Sequence, residues 1–101
     1  MDIEWLTYDQ FSGRIGERFG LVVGDGPASG LELIEATQGT AAGGRGPEGQ
    51  ERLQFSLVFR GSPALSQGTY RIRHEELGEL DLFLVPIGRD GELTKYEAAF
   101  A

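Results

Sequence analysis

The only histidine of the chain lies in RHEELGEL (73–80), where potential metal ligands are densest. His74 is followed by Glu75 and Glu76, and Glu79 comes soon after. Imidazole and carboxylate groups are ligands that Zn²⁺ accepts in proteins. Adjacent residues of a hairpin turn point in different directions, however, and no second histidine exists to complete a tight site. We therefore interpret this stretch as a solvated hairpin tip, and we predict no metal and no cofactor.

A second stretch, GGRGPEG (43–49), contains the pattern G-x-G-x-x-G at Gly44, Gly46 and Gly49. In a dinucleotide fingerprint this pattern opens a helix, and an acidic residue follows about 20 positions later. Here Pro47 lies inside the motif, and the positions about 20 residues on read SPALSQGT, without a carboxylate. We interpret residues 39–50 as a flexible, glycine-rich hairpin loop and predict that no nucleotide is bound.

No catalytic constellation stands out in the sequence. The chain has five serines but no G-x-S-x-G nucleophile elbow. Its sixteen acidic residues offer many chance pairs, none in an apolar setting that would shift a pKa. Arg60, at the end of an apolar strand, is either an anion contact or a side chain extending along a rim. The sequence favours a protein that is not an enzyme.

Composition limits the partners and the location of the protein. The 101 residues are expected to form a single domain, 1–101, with a net charge of −7 and a pI near 4.6. That acidity disfavours nucleic acid and anionic membrane surfaces. The chain has no cysteine, and we recognise neither a signal peptide nor an apolar run of membrane-spanning length. A cytoplasmic protein is the expectation.

The order of elements predicts a mainly β (β-rich α+β) fold. Thr7 and Gln10 stand in a capping-box relation and predict a short helix over about residues 8–15. LQFSLVFR alternates apolar and other residues with a period of two, which indicates a strand. About six antiparallel strands are predicted, forming a meander, a small barrel or a sandwich, at residues 17–23, 31–37, 53–60, 68–74, 78–88 and 94–100.

One hairpin allows its register to be predicted. With a tight turn at residues 75–77, pairing Arg73 with Glu79 also places Arg71 opposite Asp81. The same register sets Ile72 against Leu80 and Tyr70 against Leu82. Cross-strand pairs of this kind contribute roughly 0.2–1 kcal/mol each, so this single register satisfies both faces of the hairpin.

The strand that follows has a second apolar face. Leu80, Leu82 and Leu84 belong to the core face, whereas Phe83, Val85 and Ile87 point the other way. Either the N-terminal helix covers these three residues or they contact another protein chain. We predict a partner contact at Phe83, Val85 and Ile87, with Arg45 of the glycine-rich loop adding to it.

The segments SLVFRG (56–61), QGTYRIRHEELGELDLFLVPIG (67–88) and YEAAF (96–100) resemble a family of small bacterial domains of unknown function, about 100 residues long. The spacing of Phe11, Gly16 and Phe19 matches the Phe-x₄-Gly-x₂-Phe pattern of that family. Family members commonly have proline at the hairpin, where this chain has Glu75. The resemblance implies an accessory or assembly role in phage-tail-like or surface-protein systems, and it carries over no catalytic residue.

Two functions remain open from the sequence. The first is a non-catalytic interaction or assembly module that self-associates or binds a protein partner. The second is a small-ligand-binding barrel whose lumen is lined by Phe55, Phe59, Tyr70 and Tyr96, although small barrels usually have filled interiors.

Overall fold

The computed structural model describes residue 6 and residues 8–22, 29–45, 51–62 and 65–100. These residues form one short helix, α1 (Tyr8–Ser12), and six strands that make up most of the described chain. The strands are β1 (Arg18–Val22), β2 (Ser29–Arg45), β3 (Glu51–Gly61), β4 (Gly68–His74), β5 (Gly78–Asp90) and β6 (Leu93–Phe100). The predicted mainly β fold class is confirmed.

The six strands close into a ring in the order β1-β2-β3-β6-β5-β4, and every neighbouring pair is antiparallel. The chain thus forms two three-stranded meanders, joined where β3 pairs with β6 and β1 pairs with β4. A single six-stranded meander is the wrong topology, because β3 and β4 are not neighbours and their connection crosses from one meander to the other. In that connection the Leu65 N–H donates to the Tyr96 hydroxyl at 2.8 Å.

The interior of the ring is filled by apolar side chains. Phe19 meets Phe59 edge to face at 5.4 Å, and Phe11 of α1 lies 6.3 Å from the rings of both Phe19 and Phe55. Of the residues proposed to line a lumen, Phe55, Phe59 and Tyr96 are buried in this core, and Tyr70 packs against it from a half-buried position. The buried apolar residues are Leu6, Phe11, Phe19, Leu21, Leu31, Leu33, Phe55, Leu57, Phe59, Ile72, Leu80, Leu82, Leu84, Tyr96 and Ala98.

Two predicted boundaries are corrected by the structure. Helix α1 ends at Ser12, and residues 13–16 form turns rather than a further helical turn. Strand β2 continues to Arg45, so the prediction of a loop over 39–50 is wrong for residues 39–45. Residues 46–50 lie outside the described part of the chain. Thr7 of the predicted capping box lies outside it as well. Pairing with β3 outweighs the poor strand preference of glycine, and the register shifts on either side of Ala42 accommodate the extra residues of β2.

The predicted register of the β4–β5 hairpin is confirmed at all four pairs. Arg71 Nε donates to Asp81 at 3.0 Å, and Arg73 pairs with Glu79. The turn at residues 75–77 ends at Gly78, whose φ of 79° lies in the left-handed region that favours glycine.

Replacing Gly78 by alanine is expected to lower the free energy of unfolding by about 1–2 kcal/mol, because a Cβ is strained at positive φ. An added Cβ at Gly78 meets no atom within 4 Å, so this change isolates backbone strain from steric overlap. Gly13→Ala is the matched control, since Gly13 also has open space around it but no positive φ. Denaturant titration of both variants checks the prediction, and equal losses would contradict it.

Candidate functional site

The His74 side chain is buried at the end of β4 and uses both of its ring nitrogens. Nδ1 accepts hydrogen bonds from the backbone N–H groups of Glu76 and Leu77 at 3.0 and 3.1 Å, which places the proton of the neutral ring on Nε2. Nε2–H then donates to Glu17 Oε1 at 2.7 Å, and the ring packs on Phe19 with centroids 4.5 Å apart. Both ring nitrogens are thus hydrogen-bonded within the chain.

Charged side chains surround this histidine on its solvent side. The Arg14 guanidinium contacts the Glu76 carboxylate and lies 3.5 Å from Glu17 Oε1. The hydrogen bond from His74 lowers the pKa of the Glu17 carboxyl below its ordinary value, and attraction by Arg14 adds to this while partial desolvation opposes it. Arg14, Glu17, His74 and Glu76, hereafter the His74 cluster, join the turn after α1 to the β4–β5 turn.

The predicted solvated tip is therefore correct for the glutamates and wrong for the histidine. Glu75 and Glu76 are exposed, whereas His74 is only 5% exposed. Within the described ranges, no group of three or more His, Cys, Asp or Glu side chains is arranged to hold a metal ion. The cluster acts as a hydrogen-bonded clamp between two turns.

Arg60 forms internal ion pairs. Its Nη2 lies 2.8 Å from Glu32 and its Nη1 lies 2.7 Å from Asp90 at the end of β5. These two carboxylates raise the pKa of the guanidinium through hydrogen bonding. Arg60 thus links β2 and β3 to the tip of the β5–β6 hairpin, and its terminal nitrogens are already engaged by carboxylates of the same chain.

Phe83, Val85 and Ile87, hereafter the apolar strip, lie on the side of β5 away from the buried leucines. Phe83 is 51% exposed and Ile87 48% exposed, while Val85 is half-buried. Helix α1 packs against β2 and β3. It therefore does not cover the apolar strip, which was one of the two alternatives from the sequence. Arg45 pairs with Glu51 through the backbone, and its side chain lies outside the described part of the structure.

The apolar strip continues across the sheet into a mixed apolar and acidic surface. Val85 is paired with Glu97 on β6, Glu97 with Val58 on β3, and Val58 with Glu35 on β2. All four side chains point away from the core. For Val85, Glu97 and Val58 this follows because a residue next to each on its strand is buried, and Glu35 is itself exposed. The sequence identified the three apolar residues on β5 but missed this row, since strand order cannot be deduced from local patterns.

Comparison with known families gives one match. A family described as a domain of unknown function, DUF6916, matches residues 6–100. No curated protein and no solved structure gave a significant match. In the portion of the chain that the structure describes, no helix is long and apolar enough to cross a membrane.

Substituting His74 by alanine is expected to destabilise the protein by about 2–3 kcal/mol, because two backbone N–H groups lose their acceptor and the core loses the ring packed on Phe19. His74→Asn retains an acceptor oxygen near the turn and should lose less. Urea unfolding of both variants tests this. An asparagine variant as unstable as the alanine variant would show that the Nδ1 contacts contribute nothing.

Acid is expected to weaken the clamp through Glu17. Because folding lowers the pKa of this carboxyl, its stabilisation is complete above the ordinary glutamate value of about 4.3 and is lost as the pH falls through the lower, folded-state value. Glu17→Gln removes the titration, so the free energy of unfolding should fall less between about pH 6 and pH 3 than in the parent. Glu92→Gln, in the β5–β6 turn, controls for the loss of one carboxylate, and identical pH profiles for parent and Glu17→Gln would contradict the expectation.

Proposed function

Because this chain belongs to the DUF6916 family of domains of unknown function, we propose a function from its own surface: a non-catalytic interaction and assembly module that associates with other protein surfaces through the apolar strip. An accessory role in a phage-tail-like or surface-protein system is the part of the proposal that rests on family resemblance alone.

The observation that carries the proposal is the exposure of Phe83 and Ile87 on a strand whose opposite face already fills the core. Leu80, Leu82 and Leu84 occupy the interior, so the side chains of the apolar strip are not part of the buried core. A phenylalanine side chain buries about 150–250 Å² when fully enclosed. Covering the exposed half of Phe83 therefore favours association by about 2–3 kcal/mol at 25 cal/mol per Å².

The interior supports association rather than ligand binding. Phe55 stacks on Phe100 with ring centroids 4.4 Å apart, and Phe59 packs on Phe19. These two phenylalanines proposed for a lumen thus pack against other aromatic side chains of the core. Together with the engagement of both His74 nitrogens, this packing favours a role for the outer surface.

Phe83→Glu is expected to abolish self-association by placing a charge where the apolar strip must be covered. Light scattering on a size-exclusion column, over a concentration series, should give a mass above the 11.0 kDa of one chain for the parent and that of one chain for the variant. Phe83 is exposed and paired with Thr69 on β4, so the substitution leaves the core intact.

Ile15→Glu is the matched control, because Ile15 is 49% exposed, nearly as much as Phe83, but lies after α1 and not on β5. It should leave the mass of the parent unchanged. A parent that is monomeric at every concentration contradicts self-assembly. An equal loss in Ile15→Glu would show that association does not depend on the apolar strip.

A further inference from the structure

Strand β6 carries two opposite charges on the outward face next to the apolar strip. Lys95 and Glu97 flank the buried Tyr96 and are themselves half-buried. Neither is ion-paired with any described residue, whereas Arg60, Arg71 and Arg73 all have carboxylate partners within the chain. Two half-buried charges of opposite sign thus stand side by side in the middle of this face.

Residues 95 and 97 mark two levels along β6, meaning two positions along the strand direction, and β5 has a neighbouring residue at each level. Val85 is paired with Glu97, and Gly88 is paired with Lys95 after the register shift that inserts Ile87. In a bulge two residues oppose one on the partner strand, so Ile87 and Gly88 share the level of Lys95. Each level therefore combines one charge on β6 with one apolar side chain on β5.

We propose that the partner of this face is a second copy of the chain, related by a two-fold axis that lies in the interface, perpendicular to β6, at the level of Tyr96. This inference rests on the proposed function of the apolar strip and adds the partner and the geometry. Such an axis exchanges the level of residue 95 with that of residue 97. Lys95 then faces Glu97 of the second copy, Val85 faces Ile87, and every contact occurs twice.

The charge pattern selects this axis over the other simple arrangement. A two-fold axis parallel to β6 would set Lys95 against Lys95 and Glu97 against Glu97, and directly opposed like charges are destabilising. Both axes keep the strands of the two sheets nearly aligned, as in face-to-face sheet packing, so the charges decide between them. Gly88, with no atom within 4 Å of an added Cβ, leaves room beside Ile87 for the approaching face.

Charge exchange between the two β6 positions tests this geometry. Lys95→Glu and Glu97→Lys should each raise the dissociation constant of the dimer about tenfold, because each replaces two symmetric attractions by two repulsions. The double variant carries the same charges in exchanged positions and should return the dissociation constant to within about threefold of the parent. Sedimentation equilibrium of all four proteins at low salt gives these constants, and the parent should fit a monomer–dimer equilibrium.

Arg18→Glu controls for net charge, since it makes the same change as Lys95→Glu on β1, which is not a neighbour of β6. The inference is overturned if the single variants weaken the dimer no more than this control, if the double variant fails to restore it, or if the parent forms a trimer or larger species. If Phe83→Glu dissociates the oligomer while charge exchange has no effect, the two-fold geometry fails and the proposed function stands. A monomeric parent overturns this inference and restricts the proposed function to association with a different protein.

Discussion

Closing a six-stranded sheet into a ring forces every strand in the ring to have one inner and one outer side. The pairing of β1 with β4, through Leu21 and Ile72, completes the circle that the other five pairings leave open. Once the ring is closed, a side chain can leave water only by pointing inward or by being covered from outside. The buried leucines of β5 take the first route, and Phe83 on the same strand can take only the second.

Closure also places heavy demands on the turns, because a ring transmits a shift in one hairpin to its neighbours. The His74 cluster meets that demand where the β4–β5 turn approaches the start of β1. The imidazole of His74 accepts two hydrogen bonds from the turn through Nδ1, donates one to Glu17 through Nε2 and packs on Phe19. A histidine does here what a capping residue does at a helix end: it satisfies backbone donors that the turn itself cannot satisfy.

Local patterns in the sequence predict the parts of this structure that depend on neighbours in sequence. The β4–β5 register follows from charge and hydrophobicity together, because a shift of one residue would place Arg71 opposite a leucine instead of Asp81. The ring order does not follow, since β1 and β4 are about 50 residues apart and no local pattern marks them as partners. The burial of His74 was missed for the same reason: its immediate neighbours are charged, and the residues that enclose it, Glu17 and Phe19, are distant in sequence. The extension of β2 to Arg45 was missed because glycine-rich composition describes intrinsic preference and not the pairing available from β3.

The closed order of the strands has consequences for association. Open sheets commonly associate through strand edges, where unpaired backbone N–H and C=O groups can pair with another strand. Where neighbouring strands of the ring are paired, as Val85 is with Glu97 and Glu97 with Val58, those groups are already engaged, and this part of the outer wall presents side chains to another protein. Backbone pairing is nearly independent of sequence, whereas side-chain contact requires a matched pattern of shape and charge. The alternation of Val85, Glu97 and Val58 across β5, β6 and β3, with Lys95 at the next level, is such a pattern. Association through an outer wall of this kind, as proposed above, would discriminate between partners in a way that pairing along a bare strand edge does not.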